Sequence, residues 1–257
     1  VAESLASEQN DITVIDPDVL ARFVREGQAA ARLRHPNAVD VTDVGVVNGV
    51  AYLVMEMLHG EDLQGLLKRE RVLSPARIAA ILLPTLSALA AAHEEGIVHR
   101  DLKPANIFLH RARDGSLVPK VLDFGISKMH VEESPALTAT SAVLGTPSYM
   151  SPEQLRSTRD VDLRSDLYSL GVVLYECATG ALPFVGETLF AIMTAVDQGV
   201  YTPPRQVRGD IPEALERVIV RAMSRDPAHR FGSAHELAQA LADRKSTRLN
   251  SSHLVIS

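Results

Sequence analysis

Apolar residues recur at Val19, Leu20, Phe23 and Val24 and run into an alanine-rich stretch, the spacing of an amphipathic helix. Asp16-Pro17 marks its start: the carboxylate caps an unpaired backbone N–H, and proline fills a first position that needs no donor. "LRHPN" ends it, and the period then shortens to that of strands in "AVDVTDVGVV" and "VAYLVMEM". Asn48-Gly49 between those runs is a hairpin turn signal, since both residues tolerate positive φ. After Gly60 the pattern turns helical. Ser74-Pro75 repeats the capping device and opens "ARIAAILLPTLSALAAAHEEG", where Pro84 should kink the helix or remove one hydrogen bond. Later helices are expected near 163–179, 187–199, 212–224 and 233–243, the last opened by a capping box of Ser233 and Glu236.

Strands first and helices after predict an α+β chain: a small sheet-containing lobe, 1–58, and a mainly helical lobe, 59–244, joined near Met57–Gly60. No internal repeat is present. Residues 245–257 have no helical period and read as an artefactual or disordered tail. The composition is 46% hydrophobic and 23% charged, enough for a real core. A net charge of −6 makes no electrostatic case for a nucleic-acid partner. The best candidate for a membrane span, around 167–180, is broken by Glu176 and falls short of roughly 18 uninterrupted apolar residues. The lone Cys177 sits between apolar residues and is expected to be a buried thiol in a reducing, cytoplasmic setting.

The densest chemistry lies in "GIVHRDLKPANIFLHRARDGSLVPKVLDFGISK", Gly96 to Lys128. Phosphoryl transfer to a hydroxyl needs a base at the attacking oxygen, cations over the phosphates, and metal ions held by hard oxygens. Asp101, Lys103, Asn106 and Asp123 are residues of those types. "HRDLKPAN", "DFG" and "GTPSYMSPE", in that order, resemble the catalytic loop, metal loop and activation-segment end of eukaryotic-like (bacterial) serine/threonine protein kinases. The resemblance covers about 17–244 and implies a two-lobed fold that uses ATP with Mg²⁺ (or Mn²⁺).

Carried over by position, the resemblance makes Asp101 the base, Lys103 the phosphate-contacting lysine, and Asn106 and Asp123 the metal ligands. Thr146 would hydrogen-bond beside Asp101. Glu26 falls at the family's helix glutamate, Met55 at the gatekeeper, and Glu56, Leu58 and Phe108 around the adenine. His99, Phe124 and Gly125 are packing or hinge positions. Glu153 would pair with Arg230, and Asp166 would tether the catalytic loop. Thr138 and Thr140 resemble activation-loop phosphosites, with Arg100 as their phosphate partner. The implied partners are Ser/Thr-bearing proteins, with a kinase homodimer for phosphorylation in trans.

Two family parts are missing: no G-x-G-x-x-G precedes Glu26, and the first lysine of the chain is Lys68. With the intact catalytic loop this reads as an N-terminally truncated kinase, with membrane anchoring of the parent left open; the alternative is a pseudokinase acting as a non-catalytic interaction module. The spacing of 22 positions from Asp101 to Asp123 calls for a longer hairpin at "HRARDGSLVPK".

Overall fold

A computed structural model describes residues 17–48, 50–124, 147–156 and 161–251 of the chain. The smaller part consists of α1 (Pro17–Arg32) packed on a hairpin of β1 (Val41–Val47) and β2 (Val50–Met55). Val47 pairs with Val50 and Asn48 takes φ +53°, as the two-residue turn requires. Residues 56–59 have no regular structure and lead into the larger part at the expected junction.

There, β3 (Gly60–Asp62), β4 (Ile107–Arg111) and β5 (Leu117–Val121) form an antiparallel sheet in the order β3-β4-β5. The "RDGS" turn closes the β4–β5 hairpin, with Gly115 at φ +83° and Asp114 accepting from the Ser116 N–H at 2.9 Å. The two parts are stitched at Asn37. Its side-chain amide donates to the Pro119 carbonyl at 2.9 Å and its carbonyl accepts from Val121 N at 2.8 Å.

Helices α2 (Leu63–Glu70) and α3 (Pro75–Glu94) follow β3. Asp62 caps the first at 2.6 Å and Ser74 the second at 3.3 Å. α3 runs through Pro84 as one helix; the proline has no N–H to donate, and the buried faces at Ile78, Leu82, Leu86 and Leu89 hold the helix together. Among the described residues α3, rather than 167–180, is the helix long and apolar enough to cross a bilayer by length and composition. Here those leucines are buried in protein.

The remaining helices are α4 (Pro152–Arg156), α5 (Leu163–Thr179), α6 (Leu189–Gln198), α7 (Pro204–Val207), α8 (Glu213–Ala222) and α9 (Ala234–Ser251). The central one, α5, is buried almost end to end; Asp162 caps it and Gly180 ends it at φ +77°. Its bounds match the expected 163–179. The last helix starts as predicted but runs to Ser251, past the expected 243, since no glycine or proline interrupts 234–251. Ser233 accepts from Glu236 N at 3.1 Å, while the Glu236 carboxylate reaches Gly232 N at 2.7 Å instead of closing the box on Ser233.

Candidate active site

A wholly buried carboxylate organises the loop that follows α3. Asp166, in the first turn of α5, is 0% exposed and accepts from the backbone N–H groups of His99 and Arg100 and from His93 Nε2, each at 2.8 Å. Those donors replace the water that burial removes. They also hold Arg100 in the left-handed region at φ +69°, a conformation costing ~1–3 kcal/mol unless its surroundings enforce it. Gln154 Nε2 adds a bond to the Arg100 carbonyl at 2.7 Å.

The buried His99 ring links this loop to the strand end bearing Asp123. Its Nε2 lies 2.7 Å from the Leu122 carbonyl and must donate; its Nδ1 accepts from Asp101 N at 3.3 Å. The proton therefore sits on Nε2. Phe124 packs edge-on against the same ring, centroids 5.2 Å apart. Leu122 N also bonds the Asn106 carbonyl at 2.9 Å, so the segments bearing Asn106 and Asp123 lie side by side.

At Asp101 the geometry is asymmetric. Lys103 Nζ at 2.7 Å and Asn106 Nδ2 at 3.2 Å both reach Oδ2, and Asn106 Nδ2 also donates to the Asp101 carbonyl at 2.8 Å. Oδ1 takes no hydrogen bond from the described residues, which leaves it free to meet a hydroxyl. With its nitrogen committed, the nearly buried Asn106 offers its Oδ1 as acceptor. Asp123 is exposed, sits at φ +56°, and its carboxylate has no partner among the described residues. Two hard oxygen donors on adjoining segments suit a divalent cation.

Glu153 and Arg230 form a fork: Nη1–Oε1 2.6 Å and Nη2–Oε2 2.8 Å. Arg230 further donates to the carbonyls of Arg164, Ser224 and Arg225, and lies 4.8 Å from the Tyr168 ring centroid. Burial disfavours the Glu153 charge, yet the Arg230 and Ser165 hydrogen bonds outweigh it and hold the carboxyl at about 2.

In the smaller part, Glu26 is half-buried on α1, and Leu58 and Phe108 are half-buried too. Met55 is 43% exposed. It borders a cavity of about 10 Å³ with Leu53, Asp123 and Phe124, barely the room of one water. Gly125, Thr138, Thr140 and Thr146 lie outside the described residues.

Sequence reasoning missed His93, the third donor to Asp166, although its place in "AHEEGIVHRD" is a usable signal. It also missed Lys120. The Lys120 ammonium pairs with the Glu56 carboxylate, which accepts from Asp40 N at 2.8 Å as well. That pair ties the strand before Asp123 to the segment after Met55. Burial acts against its charge, but these bonds hold Glu56 below its ordinary range.

Residues 5–242 match the family described as protein kinase domain. Among curated proteins the chain is 43% identical over 243 residues to serine/threonine-protein kinase pkn3 of Myxococcus xanthus, covering 92% of this chain and 44% of that protein. It is 42% identical over 234 residues to a probable serine/threonine-protein kinase of Corynebacterium efficiens, covering 88% of this chain and 35% of that protein. Identity to serine/threonine-protein kinase PknB of Mycolicibacterium smegmatis is 38% over 226 residues, covering 86% and 35%. The chain thus spans less than half the length of these relatives.

Proposed function

Because the chain belongs to the protein kinase domain family, we propose that its protein transfers the γ-phosphate of ATP to serine and threonine hydroxyls of proteins. The single observation that carries this reading is the asymmetry at Asp101: Lys103 and Asn106 occupy one carboxylate oxygen and leave the other for the acceptor hydroxyl. That oxygen aligns the hydroxyl and takes its proton as the phosphoryl group arrives. Lys103, half-buried beside it, contributes positive charge at the same spot.

The family uses ATP and a divalent metal, which when bound neutralises charge on the phosphates. Here Asn106 Oδ1 and the Asp123 carboxylate would hold Mg²⁺ or Mn²⁺. Met55, the Glu56 and Leu58 backbone, and Phe108 would border the adenine. His99, Phe124 and Gly125 would couple the metal loop to the catalytic loop, with Thr146 beside Asp101. The first lysine of the chain is Lys68, too late in the sequence for the family's strand lysine over the phosphates, so this chain alone should bind nucleotide weakly and turn over slowly.

Arg100 carries a buried Nε without a hydrogen-bond partner among the described residues, which favours a role in receiving phosphate on Thr138 or Thr140, added in trans by a second copy. Its catalytic part would work in the cytoplasm. The relatives share the kinase name, and none favours a non-catalytic module. The test is radiolabelled ATP with magnesium and a mixture of proteins, followed by phosphoamino-acid analysis. Label on serine and threonine, absent in Asp101→Asn and Asp123→Asn, is expected. Label that survives Asp101→Asn refutes the assignment.

A further inference from the structure

One face of the β3–β4–β5 sheet carries charge and apolar surface together. Leu109 and Arg111 alternate onto the same face of β4; Leu117 stands opposite Arg111 and Glu61 opposite Leu109. From α2, Leu66 and Arg69, three positions apart on one helical face, close over it, and Arg77 enters from the first turns of α3. Between them lies a cleft of about 320 Å³, with buried Leu66 and Leu109 as its floor and the half-exposed Leu117 at its rim.

Its charge does not cancel. Glu61 pairs with Arg69 through two hydrogen bonds, and Glu70 pairs with Arg77. Arg111 has no acidic partner among the described residues. Arg69, Arg77 and Arg111 all line the cleft, and their charges, with the Arg69 hydrogen bonds foremost, hold the Glu61 carboxyl below its ordinary range. That leaves one net positive charge, carried by Arg111, beside an apolar floor, on a chain whose overall charge is −6.

We propose that this cleft docks a protein segment in which a carboxylate side chain stands next to an apolar one. Charge complementarity and the leucine floor select that occupant: a bare phosphate would leave the leucines unused, and a nucleic acid would meet a net negative chain. The cleft is near the small end for a ligand pocket and suits one or two side chains rather than a whole metabolite. It would give the kinase a substrate-selecting contact separate from Asp101. The substrate role rests on the function proposed above; the binding itself does not.

The test is fluorescence anisotropy with a labelled, end-capped peptide of alternating glutamate and leucine. Glutamine–leucine and glutamate–alanine peptides serve as controls. Binding should weaken with salt, fall roughly tenfold or more in Arg111→Ala through loss of a charge-assisted bond, and recover in part in Arg111→Lys. Both controls should bind more weakly than the parent peptide. Arg111 is exposed, so circular dichroism should show an unchanged fold. Equal binding of the glutamine peptide, equal affinity in Arg111→Ala, or no binding up to roughly 1 mM overturns the proposal. Phosphate transfer by this chain joined to the upstream segment of the Myxococcus xanthus relative separates the two claims. Transfer without peptide binding removes the docking site alone, while binding without transfer supports docking and removes the kinase reading.

Discussion

Glu153→Gln removes one charge from a pair whose arginine side chain is 0% exposed and whose glutamate is 17% exposed. A carboxyl held at about 2 against an ordinary 4.5 is stabilised in the fold by about 3 kcal/mol relative to the unfolded chain. Breaking a buried ion pair by removing one partner typically costs ~3–5 kcal/mol. The carbonyls of Arg164, Ser224 and Arg225 still solvate Arg230, which argues for the low end, about 3 kcal/mol. Urea unfolding at neutral pH should show this as a midpoint lower by about 1 M, for a slope near 3 kcal/mol per molar. The sign with pH follows from the depressed folded value. The contribution is complete above the ordinary value of 4.5 and is lost as pH falls toward about 2. Wild type should lose it over that window, and the glutamine variant has none of it to lose. A neutral-pH difference under about 1 kcal/mol, or identical acid-side slopes for the two proteins, would refute the reasoning.

Asp166→Ala strands the His99 and Arg100 N–H groups and His93 Nε2 in a buried site, and should lower stability by at least about 3 kcal/mol in the same urea assay. Gly60→Ala drives a Cβ into the Leu109 carbonyl oxygen at φ +140°, so a loss of about 1–3 kcal/mol is expected in thermal melts, with β3 pulled from β4. Cys177 is fully buried, and burial pushes its thiol well above the ordinary range; a disulfide reagent should label it only at the rate of unfolding, measured by absorbance with and without denaturant.

Local chemistry is what the sequence displayed best. α5 was legible at both ends because Asp162 and Gly180 terminate it, and Asn48 marked the first hairpin for the same local reason. β3 was not legible: "GED" has no strand propensity and pairs only because β4, almost fifty residues later, lies beside it. The overrun of α9 was hidden because a polar stretch without breakers shows no apolar period. At the site, Asp101, Lys103, Asn106 and Asp123 could be read as a motif. That both neighbours bind the same Asp101 oxygen depends on backbone turns no local pattern encodes. The Lys120–Glu56 pair and the cleft at Arg111 depend on strand register across distant segments, where a one-residue slip would turn each side chain away.

If the loop carrying Asp101 performs phosphoryl transfer, as proposed above, supplying a segment that holds the phosphates should reveal it. The most direct measurement joins the corresponding upstream segment of the Myxococcus xanthus relative to this chain and follows magnesium-dependent transfer from ATP to serine and threonine. Transfer should rise well above that of the chain alone and disappear in Asp101→Asn of the same fusion. A folded fusion that transfers nothing, or one whose transfer is indifferent to Asp101→Asn, would contradict the account.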